Sequence, residues 1–287
     1  MPLAKPAGPL AAAWRRLDGN LRRRMRRWLA RPMPRHLLRD WSLRHMDGLA
    51  VNVGDTNDNF FRLGWHTLDH CAPADFLADL TQEDLPLPAG SVRAFHASHI
   101  LEHLDDAQAA RLLAGMHRAL EPGGLLRLAV PDLPRHIAEY RRDPAFAYFY
   151  QREDRPGHTV RQGLERAIAR GSQGAWALEP HNALFSVVVS YTNGRFLHQV
   201  ARDELERRLE GPLEDLVRWC VSHKKRGKPD FGHVNGYDHA RLTRLLEAAG
   251  FRSCRPSRYR DPDSHPLFRG LDRQEKASIS IYIDAER

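Results

Sequence analysis

The stretches Ser98-His-Ile-Leu-Glu-His-Leu104 and Leu120-Glu-Pro-Gly-Gly-Leu-Leu-Arg-Leu-Ala-Val-Pro-Asp132 decide the fold of this chain. Between them, Asp105 is a good N-cap for a helix over residues 106–120, and Glu-Pro-Gly-Gly is a strong helix terminator. The apolar run at residues 125–130 then predicts a buried strand. A strand, a helix and a second strand in this order indicate a parallel sheet with a crossover connection.

Short apolar runs closed by turn residues extend this pattern toward both ends of the chain. Strands are predicted at Leu49–Val53 before Gly54, Trp65–Leu68 before Asp69, Phe76–Leu77 ahead of Asp79, and Ser91–Ala97. A helix over Asp238–Ala249, a strand after Phe251 and a terminal strand at Ser278–Ile283 follow downstream. We therefore predict a basic amphipathic extension (1–48), the first half of an α/β core (49–133), a helical insertion or lid (134–232), and the C-terminal strands and helix of the core (233–287).

The positive charge of the chain is concentrated near the N-terminus. The 287 residues carry a formal net charge of +8, yet residues 1–48 hold twelve basic side chains against three acidic ones. The rest of the chain is close to neutral, which argues against a nucleic-acid-binding body. Three widely spaced cysteines predict a reducing cytoplasmic location, and no apolar run reaches the roughly 18 residues of a membrane span.

Residues 14–31 predict a basic amphipathic helix. Trp14 and Trp28 lie on its apolar side, while arginines at 22, 23, 24, 26 and 27 fill the other faces. This composition is typical of a helix on an anionic membrane surface, which would place the protein at the inner face of the membrane. The same pattern fits a helix packed on its own domain with solvated arginines.

The two opening stretches, together with Gly64-Trp-His-Thr-Leu-Asp69, resemble the class I methyltransferases that use S-adenosylmethionine. More narrowly, they are similar to small predicted methyltransferases whose first strand, loop and second strand are compressed together. The resemblance covers residues 49–133 and resumes at 237–251 and 269–272. It implies a Rossmann-like, three-layer α/β sandwich with S-adenosylmethionine bound across the carboxyl ends of the parallel strands.

The resemblance also implies a role for each strand end. Gly54 lets the backbone approach the methionine part of the cofactor, Asp55 is a candidate to hold its ammonium group, and Asp69 accepts hydrogen bonds from the ribose hydroxyls. The remaining positions are Asp79 and Leu80 beside the adenine, and Ala97, Ser98 and His99 lining the sulfonium and the departing methyl group. The loop Gly54-Asp-Thr-Asn-Asp-Asn59 is poorer in glycine than that of relatives, so the alternative is a catalytically inactive, methyltransferase-like binding subunit.

Methyl transfer to a hydroxyl needs a base, and imidazole titrates near neutrality. His99 is the first candidate because of its position after the fourth strand. His233, in Gly232-His-Val-Asn-Gly-Tyr237, lies where relatives have a histidine and is the second candidate. His181 is expected in a solvated or core role. The resemblance favours a small molecule or a sugar hydroxyl as the acceptor, in surface-polysaccharide biosynthesis.

The sequence His99-Ile-Leu-Glu-His103 also matches the H-x-x-E-H of inverted zinc metallopeptidases. Zinc in such a site needs both histidines on one face of a continuous helix and a further ligand downstream. Here His99 directly follows a strand, and the helix is predicted to begin only near Asp105. We therefore expect no metal at the pair of His99 and His103.

Overall fold

The computed structural model describes residues 48–55, 63–71, 74–143, 160–171, 174–189, 199–223 and 232–287. The strands in these residues are β1 (Leu49–Val53), β2 (His66–Asp69), β3 (Phe76–Leu77), β4 (Val92–Ser98), β5 (Leu120–Pro131), β6 (Arg252–Ser257) and β7 (Ser280–Glu286). The helices are α1 (Asp106–Ala119), α2 (Leu133–Arg142), α3 (Val160–Ala169), α4 (Pro180–Val189), α5 (Arg202–Leu209), α6 (Leu213–His223) and α7 (His239–Ala248). The predicted basic helix at residues 14–31 lies outside the described residues.

The strands form one sheet in the order β3-β2-β1-β4-β5-β7-β6. The first five strands in this order, which are β3, β2, β1, β4 and β5, are parallel to one another. The strand β7 runs antiparallel to both β5 and β6. The order reverses between β1 and β4, which is where loops diverge and leave a crevice at the carboxyl ends of the strands. The predicted α/β fold of the class I methyltransferases is therefore confirmed.

One face of the sheet is covered by α1 and α7. Leu113 and Met116 of α1 and Leu246 of α7 are fully buried in one cluster with sheet residues such as Val51 and Phe95. These helices begin where the sequence predicts, because Asp105 and Asp238 each accept a hydrogen bond from a backbone N–H in the first turn. Burial of this apolar face is the main stabilising contribution to the core.

A smaller apolar cluster covers the other face of the sheet. Ala50 of β1 and Ala94 of β4 present small side chains there, and Trp65, Phe268 and Leu271 pack onto them. Phe268 and Leu271 lie in the connection between β6 and β7, so the C-terminal part of the chain covers the second face. This arrangement becomes important below because the connection also carries Asp272.

The helices between β5 and α7 have a hydrophobic core of their own. It is centred on α4, whose residues Ala183 to Val189 are all buried, and α6 contributes Leu216 and Trp219. These helices lie within the predicted insertion at residues 134–232, of which residues 144–159, 172–173, 190–198 and 224–231 lie outside the described part of the chain. Among the described residues, no helix has an apolar stretch long enough to cross a bilayer.

The predicted turn at residues 121–124 is wrong in one respect. The Glu-Pro-Gly-Gly segment does end α1, but β5 begins at Leu120 and contains the segment. Leu120 pairs with Val92 and Leu125 with Ala94, so the additional residues are accommodated as an irregularity in the ladder. Pairing with a distant strand, which local turn signals do not report, decides where β5 begins.

Candidate active site

The predicted cofactor residues lie along one edge of the sheet. Val53 at the end of β1 pairs with Leu68 of β2 on one side and with Ala97 of β4 on the other. The residues that follow in each strand, Gly54, Asp69 and Ser98, are therefore neighbours at the carboxyl edge. The geometry matches the crevice in which open α/β sheets bind nucleotides and related ligands.

Gly54 is required by the backbone at the end of β1. Its φ of +82° lies in the left-handed region, and its N–H donates to the carbonyl of Leu68 at 2.8 Å. A Cβ added here would lie 1.7 Å from Cδ1 of Ile100, so no side chain fits without displacing Ile100. The glycine thus allows the loop after β4 to lie directly against the loop after β1.

The two carboxylate oxygens of Asp69 differ in their contacts, because Oδ1 contacts neighbouring residues and Oδ2 contacts none of the described residues. Oδ1 lies 2.7 Å from Nδ1 of His70 and accepts from the N–H of Cys71 at 3.3 Å. Within the described residues all contacts of this carboxylate use Oδ1, which leaves Oδ2 able to accept from a ribose hydroxyl. The position of Asp69 at the end of β2 therefore suits the role that the resemblance implies.

Asp55 is less suited to its predicted role. Its carboxylate lies 3.4 Å from a guanidinium nitrogen of Arg273, so a positive charge already neutralises it. An ammonium group of a ligand would have to share the carboxylate with Arg273 or displace it. The residues just beyond it in this loop, 56–62, lie outside the described part of the chain.

Asp79 and Leu80 follow β3 in a tight turn. The Asp79 carboxylate accepts from the N–H and hydroxyl of Thr81, at 3.0 and 2.6 Å, and from the amide of Gln82 at 3.0 Å. Hydrogen bonds from Thr81 lower the pKa of Asp79. Leu80 is partly buried against the core beside α1. The carboxylate therefore stabilises the turn, and three of its roughly four acceptor positions are already used, which leaves one on Oδ2 for the predicted contact with adenine.

Ala97 and Ser98 end β4 next to the crevice. Ala97 is buried in the core, and Ser98 pairs with Ala129 of β5. The chain then turns sharply at His99, whose φ is +59°, an uncommon value for a residue other than glycine. His99 is thus the first residue after β4, and its ring contacts Glu102 and Ser280.

His99 is held through both ring nitrogens. Its Nε2 lies 2.8 Å from the hydroxyl of Ser280, and its Nδ1 lies 3.2 Å from Oε1 of Glu102. The side chain is only 8% exposed. Burial lowers the pKa of His99, and the nearby Glu102 carboxylate partly opposes that effect. The imidazole is consequently neutral at neutral pH.

His233, the second candidate base, is buried and lies close to the first. Its backbone N–H donates to the carbonyl of Val189. Its ring packs edge-on against the ring of His103, with the two centroids 5.0 Å apart. Burial lowers the pKa of His233 to about 3, although Glu102 acts in the opposite direction. His99 and His233 therefore both lie close to the carboxylate of Glu102.

The contacts of His181 lie within the insertion. Its Nε2 is 3.0 Å from the carbonyl of Val200 and 3.1 Å from the amide of Asn182, which itself accepts from the N–H of Val200. These bonds connect the start of α4 to the segment before α5. His181 has the core role rather than a place at the strand ends.

A buried polar network that was not predicted from the sequence connects β1, β4, β5 and β7. Asn52 of β1 contacts Nδ1 of His96 at 2.6 Å, and Nε2 of His96 lies 3.5 Å from Asp272. Asp272 in turn pairs with Arg127 of β5, which also reaches Asp284 of β7 at 2.6 Å. The available signal was an arginine in the middle of the apolar run at residues 125–130, which needs buried partners.

The strand-end residues fit S-adenosylmethionine. Gly54 supplies a backbone without a side chain at the end of β1, and Asp69 supplies a carboxylate oxygen at the end of β2, one strand away. Carboxylate hydrogen bonds to a ribose at this place in an α/β sheet are the expected mode of recognition. Asp55 fits less well, because of its pairing with Arg273.

Comparisons with known proteins find a matching family model and similar solved structures. Residues 55–128 match the family model described as a methyltransferase domain. A methyltransferase from Mesorhizobium loti that depends on S-adenosylmethionine is 17% identical, and its TM-score is 0.39. The alignment covers 87% of this chain and 98% of the other chain. A second methyltransferase that depends on S-adenosylmethionine, from Archaeoglobus fulgidus, is 11% identical, and its TM-score is 0.37. The alignment covers 88% of this chain and 94% of the other chain.

No curated protein matches the sequence. Because the structural similarities have TM-scores below 0.5, the assignment depends on the family model and on the strand order. The family match and the strand order therefore show that the chain contains a methyltransferase domain, and they support S-adenosylmethionine as its cofactor.

Proposed function

We propose that this methyltransferase acts on a hydroxyl group of a small molecule or a sugar. The observation that carries the proposal is the contact between Nε2 of His99 and the hydroxyl of Ser280, at 2.8 Å. A general base must come within about 2.6–3.2 Å of the oxygen whose proton it removes. The ring nitrogen thus already holds a hydroxyl in the geometry that an acceptor would need.

The surroundings of His99 favour a base over a purely structural role. Glu102 lies against Nδ1 at 3.2 Å and favours the tautomer with a proton on that nitrogen. The lone pair of Nε2 then faces the hydroxyl of Ser280. In the ternary complex an acceptor hydroxyl would replace Ser280 at this nitrogen, because the neutral ring offers one lone pair there.

Methyl transfer requires little from the protein besides alignment and removal of one proton. When bound, S-adenosylmethionine supplies a methyl group activated by the sulfonium. Ser98 ends β4 and His99 follows it at the carboxyl edge that also carries Gly54 and Asp69, so the base adjoins the cofactor residues. Holding the oxygen in line with the methyl group is the larger contribution to rate.

The acceptor class follows from the resemblance and from the base. A hydroxyl must lose a proton on methylation, whereas a thiolate would not need a base in this position. Sugar hydroxyls in surface-polysaccharide biosynthesis are therefore the proposed acceptors. The alternative of an inactive binding subunit is not favoured, because the chain keeps the cofactor residues Gly54 and Asp69 as well as the base.

The test is transfer of a labelled methyl group from S-adenosylmethionine to a panel of monosaccharides and nucleotide sugars, with amino sugars for comparison. The variant His99→Gln should lower kcat on the best acceptor by about a hundredfold to ten-thousandfold while leaving cofactor affinity unchanged. His223→Gln, on an exposed histidine at the end of α6, serves as the control. Equal rates for wild type and His99→Gln, or no cofactor binding at millimolar concentration, would contradict the proposal.

A further inference from the structure

Three side chains with metal-binding atoms converge beside the proposed base. Glu102, His103 and His233 each offer one ligand atom, and these atoms all lie within 4.8 Å of one another. Ligands of a single tetrahedral zinc ion are about 3.4 Å apart, given metal–ligand distances of about 2.1 Å. Small side-chain rotations therefore suffice to bring the three atoms around one ion.

A second observation concerns the Glu102 carboxylate alone. The residue is 1% exposed, and its Oε2 accepts no hydrogen bond from the residues that the structure describes. Its one close ionic contact among these residues is Nδ1 of His99 at 3.2 Å. Buried carboxylates are normally hydrogen-bonded, paired or coordinated to a metal, so this carboxylate lacks most of the partners that its burial demands.

Backbone hydrogen bonds hold the segment that carries His233 against the segment that carries Glu102 and His103. The N–H groups of Val234 and Asn235 both donate to the carbonyl of Glu102, at 2.8 and 3.1 Å. The hydroxyl of Tyr237 donates to the carbonyl of Leu101 at 3.1 Å. His233 is thus fixed opposite Glu102 and His103 in the folded chain, although it comes from a distant part of the sequence.

We propose that Glu102, His103 and His233 form a binding site for a divalent transition-metal ion such as zinc. Two imidazoles and one carboxylate are the ligand set of open zinc sites, in which the fourth position is left for water or substrate. The same set suits ferrous iron, whereas magnesium and calcium prefer oxygen ligands throughout. His103 is the most exposed of the three residues and would be the side from which an ion enters.

His99 takes the role of a partner to the metal ligand rather than that of a ligand. Its Nδ1 contacts Oε1 of Glu102, so Oε2 remains for the ion. Carboxylates that bind metals are commonly held by such neighbours. The expectation of no metal considered His99 together with His103, and the structure groups His103 with His233 instead.

The site would also explain how an acceptor is selected, and this step rests on the proposed function. An open position on the ion binds oxygen atoms, so an acceptor with two adjacent hydroxyls could coordinate through one and present the other to His99. The metal site itself does not depend on that step, because its ligands are all side chains of this chain.

The experiment uses the full chain after removal of metal with a chelator. Co²⁺ is titrated in the absence of S-adenosylmethionine and followed by its visible absorption, and Zn²⁺ is then added as a competitor. We expect one equivalent of Co²⁺ to bind and Zn²⁺ to displace it. The cofactor is titrated separately, so failure of the metal site and failure of the proposed methyl transfer can be told apart.

Variants then locate the ion. His103→Ala, which removes the most exposed ligand, should weaken Co²⁺ binding at least tenfold to a hundredfold, and His233→Ala should do the same if circular dichroism shows it folded. His223→Ala should bind as the wild type does. Cys71→Ser tests the other candidate group, Asp69, His70 and Cys71. Absence of Co²⁺ binding, unchanged binding in His103→Ala, or loss only in Cys71→Ser overturns the proposal.

Discussion

Arg127 holds the carboxylate of Asp272 with two parallel hydrogen bonds, from Nε to Oδ1 at 3.0 Å and from Nη2 to Oδ2 at 2.6 Å. Arg127 lies in β5 and is 1% exposed, while Asp272 follows Leu271 in the connection between β6 and β7. The pair therefore fastens that connection to the second face of the sheet. Because His96 also lies near Asp272, the same contacts connect β4 with β5 and β7.

Replacement of Asp272 by asparagine should destabilise the fold without changing its shape. Asp272→Asn leaves a buried guanidinium with Asp284 as its remaining carboxylate partner, and the free energy of unfolding should fall by about 3 kcal/mol. Urea unfolding at pH 7 measures this. Asp203→Asn breaks an exposed pair with Arg207 at 4.0 Å and should change stability by less than about 0.5 kcal/mol. Similar losses in both variants would contradict the role given to Arg127.

Acid should weaken the C-terminal part of the sheet only when the pH falls below about 4. Burial alone would raise the pKa of Asp261, but the N–H of Asp263, together with Arg255 and Ser257, lowers it to about 2. The pKa of Asp272 is also lowered: burial opposes this, and contacts from His96 and Arg127 outweigh the burial. Carboxylates with lowered pKa stabilise the folded state above the ordinary pKa of 3.8.

Their contribution should therefore be complete at pH 6 and should disappear as the pH falls from about 4 toward about 2. Urea midpoints measured between pH 6 and pH 2.5 should decline over this interval. In Asp261→Asn the stability at pH 6 should already be lower, and the decline should be shallower. A midpoint that stays constant down to pH 2.5 would show that these carboxylates have ordinary pKa values.

The strand positions were predictable because their signals are local. Residues 49–53 form an apolar run that ends at a glycine, and Asp105 and Asp238 cap helices within one turn of themselves. The start of β5 was not predictable from the Glu-Pro-Gly-Gly segment, since it depends on pairing with β4. Arg127 was overlooked for the same reason, because its partners come from distant strands and loops.

Some residues of the candidate site could likewise be predicted from local sequence signals, whereas others depend on contacts between distant parts of the chain. Gly54, Asp69 and Ser98 could be placed together from strand order alone, because parallel strands end at one edge. The contact of His99 with Ser280 joins residues 181 positions apart, and the pairing of Asp55 with Arg273 is similarly distant. The role of Glu102 depends on His233 arriving from beyond the insertion, which no spacing in the sequence reveals.

Gly54 should tolerate no side chain, for two separable reasons. Alanine at a φ of +82° is strained by about 1–2 kcal/mol, and the contact with Ile100 adds overpacking of about 1–3 kcal/mol. Gly90 has a φ of +69° and no atom within 4 Å of the added Cβ, so Gly90→Ala shows the strain alone. We expect Gly54→Ala to be the less stable variant by thermal or urea unfolding.

The double variant Gly54→Ala with Ile100→Ala separates the backbone strain at residue 54 from the overpacking against Ile100. Removing the Ile100 side chain takes away the atoms that the new Cβ meets, so part of the loss caused by Gly54→Ala should be recovered relative to the sum of the single variants. Strict additivity of the two substitutions would mean that the loops after β1 and β4 do not touch at this point.

Asp69 and Asp79 should differ in their effect on cofactor binding, although both follow strands at the same edge. Asp69 has an oxygen without a described contact, and loss of hydrogen bonds from ribose hydroxyls in Asp69→Ala should weaken S-adenosylmethionine binding about tenfold to a hundredfold. The Asp79 carboxylate is occupied by Thr81 and Gln82, so Asp79→Ala should mainly loosen that turn and change the affinity less. Calorimetric titration of both variants beside Asp84→Ala, whose carboxylate is 83% exposed, measures the difference. A larger loss of affinity in Asp79→Ala than in Asp69→Ala would move the main polar contact of the cofactor from the end of β2 to the turn after β3.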